Sequence, residues 1–277
     1  MIVSVASGKG GTGKTTVATN LALVVGDAQL VDCDVEEPNC HIFFDVPLRK
    51  VADVCVQVPV VDLGRCSFCG RCAEFCQYNA IAVFGEKVMI FEELCHGCGG
   101  CKLVCPDKAI HEKPRRIGVV ERGADDGLEL VQGRLDVGEP IASPIIRETK
   151  RFIDRNRFVV VDAPPGAGCP AIAAIRDTDY CVLVAEPTPL GLHDLKLFVE
   201  LLRVFSTPFG VVINRCDIGS DVIEAYCHEN GIPVLSRLPH DREVMELYSR
   251  GVPISKKSSA WRKKFLELYE NVLGVAR

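Results

Sequence analysis

Residues 8 to 16 read Gly8-Lys9-Gly10-Gly11-Thr12-Gly13-Lys14-Thr15-Thr16 and follow directly on a short apolar run, Ile2 to Ala6. A buried strand that breaks into glycines and reopens as the apolar-periodic helix Lys14 to Val25 aims backbone N–H groups and a helix N-terminus at one point, which favours bound phosphate. Gly8, Gly10, Gly11 and Gly13 let the backbone approach a polyphosphate. Lys14 is placed to reach its terminal groups, and the Thr15 hydroxyl to ligate Mg²⁺. Gly8 to Thr15 fits the pattern GxxxxGK[ST], so a phosphate-binding loop for a nucleotide and Mg²⁺ is expected.

A second chemistry begins at residue 66. Cys66, Cys69, Cys72 and Cys76 form CxxCxxCxxxC, and Cys95, Cys98, Cys101 and Cys105 repeat it, followed by Pro106. The tails also match: Cys76-Gln77-Tyr78-Asn79-Ala80-Ile81 and Cys105-Pro106-Asp107-Lys108-Ala109-Ile110 mark an internal duplication. Zinc also takes four cysteines, but usually as separated CxxC pairs. The spacing resembles bacterial ferredoxins with two clusters, in which three thiolates of each run hold one [4Fe–4S] cube and the fourth reaches across to the other. That resemblance implies one cluster on Cys66, Cys69, Cys72 and Cys105 and a second on Cys95, Cys98, Cys101 and Cys76.

The run Lys9-Gly10-Gly11-Thr12-Gly13-Lys14-Thr15-Thr16 carries an additional lysine and resembles the deviant Walker A box of the MinD, ParA, Mrp and nitrogenase iron-protein superfamily. The resemblance implies an ATPase that dimerises when ATP is bound, as a homodimer or with a related ATPase, with Lys9 crossing to the partner's nucleotide. Asp32-Cys33-Asp34 after the second apolar run corresponds to switch I, which puts on Asp34 the task of orienting the attacking water; a carboxylate beside Mg²⁺ suits it. Asn39 is a candidate for the γ-phosphate. Asp162-Ala163-Pro164-Pro165-Gly166 resembles the switch II segment of the Mrp branch, with Asp162 on the Mg²⁺ side and the Gly166 N–H offered to the γ-phosphate. Asn214-Arg215-Cys216-Asp217 resembles both the NKxD guanine reader and the asparagine with which MinD-like ATPases hold adenine. The company of Lys9, Asp34 and Asp162 selects adenine, read by Asn214 with backbone help from the loop at Pro239.

The composition sets limits. The 277 residues, 48% of them hydrophobic, suffice for one large core with a small addition. A net charge of −5 argues against a nucleic-acid binder relying on phosphate neutralisation. No apolar run approaches the ~20 residues of a membrane span, and a cytoplasmic location is expected. In a reducing compartment the 15 cysteines read as metal ligands or catalysts before disulfides. Cys33, Cys40, Cys55, Cys181, Cys216 and Cys227 are expected to pack in the interior. Cys169 stands where the nitrogenase iron protein has a cluster cysteine, which raises a third, interface cluster as an option.

Apolar runs alternate with helical patterns on both sides of the cysteine repeats. The fold expected is α/β: a doubly wound, mostly parallel sheet spanning residues 1–61 and 114–277, interrupted at residues 62–113 by a small α+β ferredoxin-like domain. Leu48 to Leu63 reads as an irregular approach to the insert. Arg116 to Arg122 and Leu128 to Leu135 read as strands joined by a turn at residues 123–127. The tail, Ala260 to Val275, puts Trp261, Phe265, Leu268, Tyr269 and Val272 on one helix face, expected against the core rather than on a membrane. The function implied is an ATP-binding and hydrolysing switch with two [4Fe–4S] clusters that exchanges electrons with a protein partner. A metal-cofactor carrier with a client protein and a MinD/ParA-like positioning ATPase are the alternatives.

Overall fold

The computed structural model describes every residue except 126, 276 and 277. The elements run β1 (Ile2–Ala6), α1 (Lys14–Val25), β2 (Ala28–Asp32), a 3-10 turn (Cys40–Phe43), β3 (Arg49–Val61), α2 (Arg71–Phe75), β4 (Ile81–Phe84), β5 (Lys87–Ile90), α3 (Gly100–Val104) and β6 (Ile110–Asp125). They continue with β7 (Leu128–Leu135), α4 (Ser143–Lys150), β8 (Phe158–Asp162), α5 (Cys169–Ile175), β9 (Tyr180–Ala185), α6 (Pro189–Val204), β10 (Phe209–Asn214), α7 (Val222–Glu229), β11 (Val234–Leu238), α8 (Arg242–Tyr248) and α9 (Ser259–Val275).

Nine strands form one sheet in the order β11-β10-β9-β1-β8-β2-β7-β6-β3. From β11 to β7 every neighbouring pair is parallel, whereas β7–β6 and β6–β3 are antiparallel. Parallel strands must be covered on both faces, so they read as continuous apolar runs. Successive residues alternate between two cores. Val159, Val161, Cys181 and Leu183 face α4, α5, α6 and α7, while Val160, Val182 and Val184 face α1 and α9. The tail helix α9 buries Trp261, Phe265, Leu268 and Val272 on that second face, and Tyr269 packs at its margin. Its apolar stripe is therefore a core face, as its spacing suggested.

Two local expectations are corrected. Leu48 to Leu63 is not irregular: residues 49–61 form a 13-residue edge strand. Val54, Val56 and Val58 are buried while Asp53, Cys55 and Gln57 face out, a period of two. Its partner β6 begins at Ile110, six residues before the expected strand, because the pair zips from Arg49 opposite Arg122 down to Val61 opposite Ile110. β6 also extends through Asp125, and the remainder of the expected turn includes residue 126, outside the described residues. Cys55 and Cys216 are exposed, not interior, whereas Cys33, Cys40, Cys181 and Cys227 are buried. In β3 the outward register decides this for Cys55; Cys216 lies in the loop beyond the end of β10.

Residues 62–109 hang between the near ends of β3 and β6. They contain α2, α3 and the separate hairpin β4–β5, and α2 packs on α3.

Candidate functional site

The carboxyl ends of the parallel strands open on a cleft of about 380 Å³, lined by Gly10, Gly11, Gly13, Lys14, Thr15 and Thr16 on one side and by Asp34, Glu37, Asn39 and Pro165 on another. Asn214, Arg215, Leu238, Pro239, His240 and Asp241 form the far wall, with Val244, Met245, Tyr248 and Trp261 above it. Helix α1 starts there without a side-chain cap. Its first intrahelical bond runs from Val17 N–H to the Gly13 carbonyl, which leaves the preceding amides free to meet an anion. Gly13 holds φ at +92°, and a Cβ there would lie 2.4 Å from Asn214 Nδ2, so no other residue fits.

Lys14 and Thr15 are buried at the cleft floor. The Thr15 hydroxyl donates to Asp162 Oδ2 at 2.7 Å, and Lys14 Nζ lies 3.9 Å from Asp162 Oδ1. Behind them, Asp32 braces the switch I segment: its carboxylate accepts from the N–H groups of Asp34 (3.0 Å), Asn39 (3.0 Å) and Cys40 (2.9 Å). The Cys40 thiol donates to Asp162 Oδ2 at 3.5 Å. One ligand atom each from Asp32, Cys40 and Asp162 falls within 4.8 Å of the others, a cluster able to hold a cation. Burial pushes the carboxyls of Asp32 and Asp162 up, the two charges reinforcing this at Asp32. Burial also raises Asp34 to about 6, against the pull of Lys14. Close carboxyls whose ionisation is disfavoured by desolvation are an arrangement that a divalent cation would relieve. Asp162 Oδ1, Thr12 Oγ1 and Asn39 Oδ1 are buried without a hydrogen-bond partner, three orphaned groups at the mouth of a phosphate loop.

Other expected residues are engaged within the chain. Lys9 Nζ sits 3.0 Å from Glu186 Oε2, and Arg215 donates to the other oxygen of Glu186 at 2.5 Å. Asn214 Nδ2 donates to the Thr12 carbonyl at 2.7 Å, so the residue expected at the base also pins the phosphate loop. The Gly166 N–H, expected at the γ-phosphate, donates to the Ser7 carbonyl at 3.1 Å. Asp217 accepts from the His240 N–H at 2.5 Å and thereby fixes the loop beside Pro239. Gly8 lies behind the loop, against Asp194. Cys169 is exposed at the first turn of α5.

Asp32, Cys40, Glu186, Tyr248 and Trp261 were not singled out for these positions. Asp32 is the first member of the Asp-x-Asp pair and was legible there, and Cys40 follows Asn39 in the same segment; Tyr248 and Trp261 reach the cleft from the C-terminal part of the chain and Glu186 meets Lys9 from the end of β9, none of them with a local signal.

The eight repeat cysteines line two separate cavities. One is bounded by Cys66, Cys69, Cys72 and Cys105 with Phe68, Arg71 and Asp107. The other is bounded by Cys76, Cys95, Cys98 and Cys101 with Gln57, Pro59, His96 and Glu112. None of the eight is in a disulfide. The duplication extends to the backbone. Phe68 and Gly97, Gly70 and Gly99, and Asn79 and Lys108, each pair 29 residues apart, all have positive φ. Amide-to-sulfur bonds repeat too: Phe68 N–H to Cys66 (3.4 Å) matches Gly97 to Cys95 (3.5 Å), and Ala80 to Cys76 (3.4 Å) matches Ala109 to Cys105 (3.3 Å). Burial raises the thiols of Cys72 and Cys95, and that of Cys101 to about 11. Four convergent thiols with amides aimed at sulfur fit an iron–sulfur donor set, whose formation would expel the protons.

A glycine loop opening α1 beside the central strand of a doubly wound sheet, with an aspartate from the neighbouring strand under its lysine, defines a P-loop nucleotide-binding protein. The CobQ/CobB/MinD/ParA nucleotide binding domain family matches residues 3–254, and the chain belongs to this family of P-loop ATPases. An uncharacterised protein of Methanocaldococcus jannaschii is 31% identical over 258 residues, covering 91% of this chain and 90% of the relative. The iron-sulfur cluster carrier protein of Aquifex aeolicus is 25% identical over 293 residues, 96% of this chain and 65% of that protein. The septum site-determining protein MinD of Pyrococcus horikoshii, solved with Mg-ADP, matches the fold with a TM-score of 0.60 at 20% identity, over 100% of this chain and 98% of that one.

Proposed function

We propose that the protein is an ATP-binding and hydrolysing dimeric switch whose nucleotide state controls electron exchange between two [4Fe–4S] clusters and a protein partner. Residues 62–113 form the cluster-bearing domain, inserted in an ATPase domain of residues 1–61 and 114–277. The observation that carries this reading is the partition of the cysteines: each cavity takes three thiols from one repeat and one from the other. Clusters so held supply one-electron redox chemistry. The cavities lie beyond strand β3, which begins only six residues after the 3-10 turn that ends the switch I stretch.

In this reading the amides of residues 10–16 and Lys14 hold the phosphates of ATP. Thr15 and Asp162 position Mg²⁺, and Asp34 orients the attacking water once its carboxyl is ionised. The Gly166 N–H leaves Ser7 for the γ-phosphate, and Asn214 with the Pro239 loop holds the adenine. Lys9 leaves Glu186 to reach the nucleotide of the second subunit.

The test is anaerobic purification followed by EPR-monitored redox titration without nucleotide, with ADP and with ATP, beside a Lys14→Ala control. A shift in cluster potential or spectrum that requires both ATP and Lys14 is expected. Intact clusters, normal ATP binding and no shift would overturn the coupling. A second reading, an ATP-dependent carrier that delivers clusters to a client protein, is favoured by the relationship to the iron-sulfur cluster carrier protein. It predicts clusters that chelators remove and that transfer to an apoprotein.

A further inference from the structure

The segment from Asp241 to Lys256 has two faces. One, through Asp241, Val244, Met245 and Tyr248, forms part of the cleft wall. The other rests on three consecutive residues of the chain that leaves switch I. The Tyr248 ring lies on Phe43, with centroids 4.9 Å apart and planes at 49°. Gly251, at φ +68°, approaches so closely that a Cβ there would stand 2.6 Å from the Ile42 carbonyl oxygen. Lys256 Nζ lies 5.6 Å from the ring centroid of Phe44.

Both ends of this contact are anchored. Asn20 of α1 accepts from the Ser255 N–H at 2.9 Å and from its hydroxyl at 2.6 Å. Asp241 caps α8 by accepting from the Glu243 N–H at 2.8 Å and also accepts from Trp261 Nε1 at 2.9 Å. On the opposite side, Phe43 ends the 3-10 turn that Cys40 begins, and Cys40 is tied to Asp32 and Asp162 as described. Burial pushes the Tyr248 hydroxyl up, and Asp162, Cys40 and Asp32 add to it.

We propose that residues 241–256 are a coupling element that reads occupancy of the nucleotide cleft and transmits it to residues 39–46, with Tyr248 acting as a positioning residue through its tilted ring contact with Phe43. The inference rests on the nucleotide-site reading above but not on the presence or redox role of clusters. A ligand can shift a segment only through contacts that differ between its two states. The Tyr248 ring supplies such a contact because it meets the cleft and the switch I exit at once. From residue 46 the chain passes through Pro47 into β3, whose Gln57 and Pro59 border the second cysteine cavity.

Hydrogen exchange of the amides of residues 39–46 tests this on the full chain, purified anaerobically, with saturating Mg·ATPγS and without nucleotide. Saturation is established from the fluorescence of Trp261, the single tryptophan, which lines the cleft. In the unmutated protein, nucleotide is expected to slow exchange of this segment by about tenfold or more. Phe43→Leu keeps an apolar side chain in the core but removes the ring–ring contact; it is expected to bind nucleotide within about threefold of wild type yet lose most of the protection. Tyr248→Ala should lose it to the same extent at saturation, Tyr248→Phe should retain it, and the Phe43→Leu/Tyr248→Ala double variant should be no worse than either single one. No nucleotide-dependent protection in the unmutated protein, full protection in Tyr248→Ala, or additive losses in the double variant would overturn the proposal. Failure of the redox reading would appear instead as a nucleotide-independent cluster potential, with these exchange rates unaffected.

Discussion

If the protein dimerises on ATP as proposed, replacing Glu186 by glutamine should tighten that dimer. Lys9, the lysine that the superfamily resemblance sends across to a partner's nucleotide, is held in its own subunit by Glu186 at 3.0 Å. The Glu186 side chain is 10% exposed and that of Lys9 30%, so the pair falls between an exposed ion pair, worth about 0.2–1 kcal/mol, and a buried one, whose rupture costs about 3–5 kcal/mol. Arg215 stays on Glu186 when Lys9 departs, so the carboxylate is not left bare. The cost of release is then about 1–1.5 kcal/mol per subunit, toward the lower limit. A symmetric dimer releases two lysines, which makes about 2–3 kcal/mol, or about 30- to 150-fold in the dimer dissociation constant. Glutamine keeps an acceptor for Arg215 and removes the charge that retains Lys9. Sedimentation equilibrium with Mg·ATPγS measures the constant directly, and Lys9→Ala should weaken the dimer on the same scale. A Glu186→Gln dimer unchanged within threefold, or weaker than wild type, would refute the view that Glu186 restrains Lys9.

Cys105→Ala should damage the cluster of the first cavity rather than that of its own repeat: its EPR spectrum should match that of Cys69→Ala and differ from that of Cys98→Ala, and the reverse match would overturn the crossed assignment. Asn214→Ala frees the Thr12 carbonyl and, on the proposed function, also removes the contact to the base, and loss of these hydrogen bonds should weaken nucleotide binding by about 1–3 kcal/mol; a Trp261 fluorescence titration within twofold of wild type would contradict this. The pH dependence follows from the raised carboxyls at Asp32, Asp162 and Asp34, the last at about 6. The folded, cation-free protein holds these protons more tightly than the unfolded chain, so their contribution to stability is present at about pH 4 and is lost as pH rises through the folded values. Mg·ADP favours the ionised forms, so its affinity should rise with pH across about 5.5–7, with protons released. Calorimetry in two buffers of different ionisation enthalpy would detect that release, and proton uptake would invert the argument.

Local pattern carried the elements whose burial is simple. The helix from Lys14 to Val25 has the expected limits, because a glycine with positive φ starts it and Gly26 ends it. The core strands β1, β2, β8, β9 and β10 were visible as apolar runs because a parallel sheet covered on both faces asks for nothing else. Strand β3 was missed. Its alternation of valines with Asp53, Cys55 and Gln57 is half-buried patterning, and Pro47 and Pro59 obscured a strand whose length is set by pairing with β6, some fifty residues away.

The chemistry divides in the same way. The glycine loop with its lysine and threonine was legible from motif spacing, and the acidic pair at the end of β2 and the aspartate at the end of β8 from the resemblance of their segments to the MinD/ParA superfamily, because each sits on one short stretch of chain. The repeat of four cysteines was equally local. The crossing of the fourth thiol of each run was implied by the resemblance to two-cluster ferredoxins, and the structure groups the eight thiols in that way, with β3 and β6 bringing the ends of the duplicated segment together. The ion pair of Lys9 with Glu186, the bond from Asn214 to the phosphate loop and the tilted ring contact of Tyr248 with Phe43 join residues 177, 202 and 205 positions apart. No sequence period encodes such contacts; they exist only because the strand order β10-β9-β1-β8-β2 folds distant loops onto one edge of one sheet.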